Sequence, residues 1–285
     1  MHYYYYYYAI KRLNMSLLNY IFKRRSKMRD IHKDKKYFSD YISRHYSAQE
    51  ILIKKLKSNL VKLERIAPVK MQLTKDYLNI IFAKYSRGDD MFNKEVYSIF
   101  ENTVNLMTEN WSERHQNILY YLEKNKVIYL KQYTLSYHVF MLNMLSIGYL
   151  LNVDDLQFQL INDFIEKDEI KDFIYDFLLR SKLQDKAPIT DSNFKVFSGF
   201  KDPFVTIKQI INTSNNEEAE VLLKMFLESE WLNLINKHNL YSPHTNKFNV
   251  YYGYWCFPAA AIVKIKGLDD SSFRDNPYYP KDLIQ

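Results

Sequence analysis

Apolar residues recur at three- and four-residue spacing through most of this 285-residue chain, and that periodicity predicts a succession of amphipathic helices. Residues 30–46 place Ile31, Tyr37, Phe38, Tyr41 and Ile42 near one such face. Ser47-Ala48-Gln49-Glu50 matches a capping box, in which a serine oxygen accepts from the third helical amide and a glutamate reaches back. It predicts a helix through Leu52, Leu56, Leu60 and Leu63 to about Ile66, closed by Pro68. Residues 71–86 repeat the pattern, and Gly88 stands where a left-handed residue would end them. Asp89 and Asp90 precede a helix over 91–110, and Ser112 is read as the cap of one starting at Glu113. Residues 127–151 are apolar nearly all round and predict a central helix.

Asn152-Val153-Asp154-Asp155 is read as a hinge or sharp turn, and 186–202, with Pro188 and Gly199 and with Pro203 just beyond, as the least regular stretch. Helices are expected over 204–212 and 217–237. The second has Val221, Leu222, Met225, Phe226, Trp231, Leu232, Leu234 and Ile235 as its buried stripe. The expected fold is all-α, a multi-helix bundle of antiparallel helices. An N-terminal helical domain (28–150) would pack on a C-terminal one (151–285).

Composition narrows the chemistry. Five glycines in the whole chain leave little room for phosphate-cradling loops or hairpin-dense sheets, and 47% hydrophobic content supplies a large core. The 26 tyrosines and 18 phenylalanines read as packing, with tyrosine rings buried and hydroxyls reaching partners. Cys256 is the single cysteine, which excludes an internal disulfide and a cysteine-based zinc site and fits a reducing compartment.

The net charge of +7 is unevenly placed. Residues 1–27 hold six lysines and arginines and no acid, leaving only +1 for the rest. This segment, with tyrosines from Tyr3 to Tyr8 and a short apolar run over 13–22, is too short for the ~20-residue span a membrane helix needs. It also lacks a small-residue cleavage site. It is expected to be a poorly ordered extension, with Met15 and Met28 as alternative starts. The competing reading makes it a nucleic-acid-binding arm of a regulatory protein; a nearly neutral body argues against that.

Beyond the hinge the charge reverses: from Asp154 to Asp176 eight acids face two lysines, a net −6. Asp168, Asp172 and Asp176 follow at i, i+4 and i+8, which on one helix makes an acidic stripe. The stripe reads either as a solvated outer face or, with Asp154 and Asp155, as a docking surface for a basic partner.

No phosphate loop, nucleophile elbow, dinucleotide fingerprint or zinc-protease motif occurs. The seven histidines show no ligand spacing, although His238 and His244 flank a loop in which they could meet. Cys256, between Trp255 and Phe257, reads as a buried thiol rather than a nucleophile. Asp269 and Asp270 could hold a metal with Asp275, but after Gly267 they read better as a helix stop and cap. No catalytic residue, metal or cofactor is expected.

The last stretch, 251–283, is the densest in special residues. Phe257-Pro258 starts a helix, Ala259, Ala260 and Ala261 give it a slim face, and Gly267 ends it. Pro277 and Pro280 bracket Tyr278 and Tyr279 as aromatic pegs, so the whole reads as a packing lock.

Gly253-Tyr254-Trp255, the 259–265 helix, Leu268-Asp269-Asp270-Ser271-Ser272, and Asp275-Asn276-Pro277-Tyr278-Tyr279-Pro280 with Asp282-Leu283 resemble the C-terminal domain of the PoNi immunity proteins. Met28-Arg29-Asp30, Tyr37-Phe38, Tyr41-Ile42 and Tyr85-Ser86-Arg87-Gly88-Asp89 resemble the N-terminal domain. The resemblance runs in order over about 28–285 and departs at Pro258, where the family commonly has an acid, and before Met28. It implies an all-helical cytoplasmic protein, not an enzyme, that binds and neutralises a cognate PoNe-type DNase toxin of the PD-(D/E)xK superfamily. Such toxins are often delivered by type VI secretion. A nuclease offers a basic cleft, so the toxin-binding candidates are Asp154, Asp155, Asp168, Asp172 and Asp176, or else Asp269 and Asp270.

Overall fold

Asp34 starts the first helix by accepting from the Tyr37 amide at 2.7 Å. The computed structural model describes residues 27–111, 115–121, 127–189 and 202–284. Helix α1 (Lys35–Lys57) runs straight through the expected capping box. Within a continuing helix the amides after Ser47 are already bonded four residues back, so there is no orphan donor for the serine to satisfy. The break comes instead at 58–62, where Asn59 takes φ 55°.

Helix α2 (Leu63–Arg87) then contains Pro68 rather than starting after it. Pro68 lies near the helix start on an exposed face, so the missing amide costs one ladder bond and no packing. Gly88, at φ 93°, ends α2 as expected. Helix α3 (Lys94–Asn110) follows, capped by Asn93.

The expected helix from Glu113 and the first turns of the expected 127–151 helix are instead a hairpin. Strands β1 (His115–Tyr121) and β2 (Val127–Tyr133) pair antiparallel, His115 opposite Tyr133 and Tyr121 opposite Val127. Runs such as Ile118-Leu119-Tyr120-Tyr121 and Val127-Ile128-Tyr129 are β-favouring, and short apolar runs look alike by periodicity in helix and strand. The molecule is otherwise all-α. Helix α4 (Leu135–Leu150) is the central one, buried on nearly every side. Helices α5 (Asp155–Lys167) and α6 (Phe173–Arg180) flank it.

Helix α7 (Val205–Asn212) precedes α8 (Asn216–Met225), capped by Asn215, a π-helical turn (Phe226–Glu230) and α9 (Trp231–Lys237). The expected stripe here is partly corrected: Val221 and Met225 are 59% and 51% exposed, while Ala219, Leu223 and Leu227 are buried. Helix α10 (Phe257–Lys266) packs against α4 with its three alanines buried, and Gly267 ends it at φ 66°. A 3-10 turn (Lys281–Leu283) closes the chain.

One buried apolar cluster runs through both halves, from Phe38 and Phe82 to Trp255 and Tyr279. No helix among the described residues is long and apolar enough to cross a membrane. The expected extension over 1–27, Lys27 apart, lies outside the described residues. So do Ser112, Glu113 and 190–201 of the irregular stretch.

Candidate functional site

The stripe expected from Asp168, Asp172 and Asp176 does not form, because a helix boundary falls inside it. Asp168 is the C-cap of α5, Glu169 turns the chain at φ 55°, and Asp172 is the N-cap of α6. Short acidic side chains are favoured at helix starts because they accept from free amides, which accounts for Asp172, and the i+4 spacing spans the turn between two helices rather than one face. All three point inward. Asp168 is buried and accepts from the Tyr133 hydroxyl at 2.8 Å, which itself accepts from Trp111 Nε1 at 3.0 Å.

Asp172 accepts from the Ile174 and Tyr175 amides and lies 3.0 Å from His138 Nε2. Burial works against its charge, but His138 and the amide bonds outweigh it and hold the carboxyl below the usual range. Asp176 sits in the first turn of α6, where burial raises its carboxyl above the usual range.

Four exposed acids of the segment, Asp155, Glu166, Glu169 and Asp185, border a groove between α5, α6 and the chain up to Ile189, about 1140 Å³ in volume. Asp154 caps α5 through the Gln157 amide at 3.0 Å. Asp155 lies 3.4 Å from Lys182, Glu166 2.9 Å from Lys186, and Glu169 2.8 Å from Lys131. These pairs temper the field, and over 154–189 nine acids face five lysines and arginines, a net −4. Asn162 lines the floor with Asp172 and Asp176. Nothing in the sequence pattern singled out Asn162, because its place depends on how α5 faces α6.

Asp269 and Asp270, the other candidate patch, divide their roles. Asp270 is buried and accepts from Arg274 at 2.6 Å and from the Tyr279 hydroxyl at 3.1 Å. Asp269 is exposed and holds the Ser271 amide and hydroxyl. Asp275 is exposed and pairs with Lys281 at 2.5 Å. Among the described residues no group of three His, Cys, Asp or Glu is arranged to hold a metal ion.

The remaining motif residues build a latch between the chain's two ends. Tyr251 donates to Asp30 Oδ2 at 2.6 Å, Ser86 donates to the Tyr252 carbonyl at 2.9 Å, and Trp255 Nε1 donates to Ser86 Oγ at 2.7 Å. Arg29 pairs with Asp282 at 2.5 Å and lies 4.4 Å above the Tyr85 ring. The Trp255 ring meets Tyr85 edge-on at 4.7 Å, and Tyr254 contacts Tyr278. Pro280 and Tyr279 are buried beneath. Cys256 is fully buried, and burial pushes its thiol far above the usual range, which suits packing and not nucleophilic attack. His244 stacks on His32 at 4.2 Å.

No curated protein matches the chain. Among solved structures, the crystal structure of protein PA2201 from Pseudomonas aeruginosa shares the fold, with a TM-score of 0.62 at 16% identity over 91% of this chain and 90% of that one. Residues 29–162 match the family of PoNe immunity proteins (PoNi), N-terminal, and residues 170–283 match PoNe immunity proteins (PoNi), C-terminal. The two halves follow in the family's order, and the residues that join them in the latch come from both. The chain belongs to the PoNe immunity protein (PoNi) family.

Proposed function

We propose that the protein binds a cognate PoNe-type DNase toxin in the cytoplasm and neutralises it by protein–protein contact, without catalysis. The observation that carries the reading is the match to both halves of the immunity family over 29–283. The chemistry supports it. A nuclease must present cationic surface to phosphates, and an inhibitor gains association rate from opposed charge and residence time from buried anchors.

The net −4 segment over 154–189 offers such a charge on its exposed acids, among them Asp154, Asp155, Glu166 and Glu169. Asp168, Asp172 and Asp176 contribute to the same region from beneath, as caps and floor, so reversing their charge would unfold α5 and α6 before it reported on binding. Asp269 is the exposed member of the second patch. The domains 28–150 and 151–285 act in this reading as one rigid body, since a single core spans them.

The test is a DNA-degradation assay with a PoNe-type nuclease domain, with and without the full chain. Stoichiometric protection is expected, with affinity falling as salt rises. A nuclease that keeps cutting at saturating immunity protein would sink the proposal. Delivery of that toxin by type VI secretion is part of the same reading and is checked by whether killing of unprotected neighbours requires the secretion apparatus.

A further inference from the structure

The groove over α5 and α6 holds two buried acceptors with nothing bonded to them. Asn162 Oδ1 and Asp176 Oδ1 are both inaccessible to solvent and lack a hydrogen-bond partner, while their residues are 4% and 6% exposed. Both line the groove. Each side chain is otherwise committed: Asn162 donates to Glu166, and Asp176 has the Ile189 amide and Arg180, the latter at 3.8 Å from its other oxygen. A buried acceptor left unpaired costs about 1–3 kcal/mol, more when charged, so two such acceptors lining one groove mark a place for a specific occupant.

The surroundings say what kind of occupant. Six carboxylates line the groove against three lysines, and Asp172 in its floor is held ionised by His138 and two amides. The volume of about 1140 Å³ exceeds the roughly 300–1,000 Å³ of a small-molecule pocket, which fits a chain segment carrying one inserted side chain. Burial without enough donors also keeps the Asp176 carboxyl above its usual range, a condition that a cation seated beside it would relieve.

We propose that this groove is a receptor for a cationic side chain, arginine or lysine, presented by the protein partner, with Asn162 Oδ1 and Asp176 Oδ1 as the acceptors that receive it. The inference rests on the immunity reading for the partner's identity and on the geometry alone for the site. A guanidinium or ammonium supplies charged donors to both oxygens, and bonds of that kind are stronger than neutral ones. The exposed Glu166 and Glu169 rim steers the cation in, and the floor holds it.

The probes are Nα-acetyl-arginine methylamide, its lysine counterpart and the neutral citrulline counterpart, titrated into the full chain and followed by the backbone amide resonances of α5 and α6. A saturable shift is expected with a cationic probe, at least ten-fold weaker binding with citrulline, and loss of the response in Asn162→Ala and Asp176→Asn. An Asp163→Asn control off the groove should behave as wild type. Equal response to citrulline, or no saturation with either cation, overturns the site.

In a second arm, a PoNe-type nuclease domain that the wild-type chain binds should lose at least ten-fold in affinity to Asp176→Asn and Asn162→Ala at unchanged melting temperature. Glu166→Gln on the exposed rim reports the same loss, at smaller size, should the floor variants fail to fold. A nuclease that binds these variants like wild type overturns the groove and leaves the immunity reading standing. If no nuclease binds the wild-type chain, the immunity reading fails, and the arginine titration decides the groove independently.

Discussion

At Gly253 a single missing Cβ determines how closely the chain's two ends approach. Its φ is 125°, and a Cβ there would lie 2.5 Å from Trp255 Nε1 and 2.6 Å from Ser86 Oγ, inside the hydrogen bond that joins them. Gly253→Ala should therefore destabilise by about 2 kcal/mol or more, from backbone strain plus displacement of the tryptophan, as read by chemical denaturation. Tyr279 and Tyr278 make a contrasting pair. Tyr279 is 2% exposed with its hydroxyl on Asp270, so Tyr279→Ala should cost about 3–5 kcal/mol, as for other buried aromatics. Tyr278 is only half-buried, and its alanine variant should cost less than half as much. A stable Tyr279→Ala variant that had lost toxin binding would show that the latch is itself the docking surface.

His32 gives the latch a pH dependence. Burial lowers its pKa, with His244 and Lys33 acting in the same direction and Asp30 opposing. A histidine whose folded pKa is depressed is held neutral by the fold, so its contribution is intact above the unfolded value of about 6.5 and is lost as pH falls below it. Melting temperature should decline between pH 7 and 5, and His32→Phe, which keeps a ring on His244, should flatten that decline. An unchanged slope in the variant would assign the acid sensitivity elsewhere.

At the scale of elements, the existence of most helices was readable from periodicity, the one expected from Glu113 excepted, and helix boundaries were not. The expected break at Ser47 rested on a capping box that a continuing helix makes redundant, and the expected stop at Pro68 rested on a proline that the start of α2 tolerates. Because Pro68 is exposed and removes one ladder bond, Pro68→Ala should stabilise the protein by about 1–3 kcal/mol, visible as a higher midpoint in urea. The hairpin of β1 and β2 was missed because the four-residue apolar runs at 118–121 and 127–130 are too short to carry a period that separates strand from buried helix. The aspartates at 168, 172 and 176 were legible as a charge cluster but not as caps: whether i+4 spacing lies along one helix or across a boundary depends on where the chain turns.

At the scale of the whole molecule, the two family halves share their core. Phe82 meets Phe257 edge-on at 4.6 Å, Tyr85 meets Trp255, and Tyr37 exchanges hydrogen bonds with the Tyr251 backbone. Residues 28–162 and 170–285 expressed apart should each fail to give a cooperative thermal transition, and co-expression should restore one. Two independently folding fragments would establish separable domains.

By itself the sequence determined the all-α class, the helix-ending roles of Gly88 and Gly267, the buried thiol and the family. These rest on periodicity, on backbone conformations open mainly to glycine, and on motifs continuous in the chain. The tertiary structure alone decided what the terminal stretch, 251–283, is packed against: Asp30 and Ser86 lie 221 and 166 residues from their partners Tyr251 and Tyr252. It also decided which acids stay exposed and that Asn162 and Asp176 line one groove. Contacts between distant segments follow from how whole helices pack, and local pattern carries no record of them.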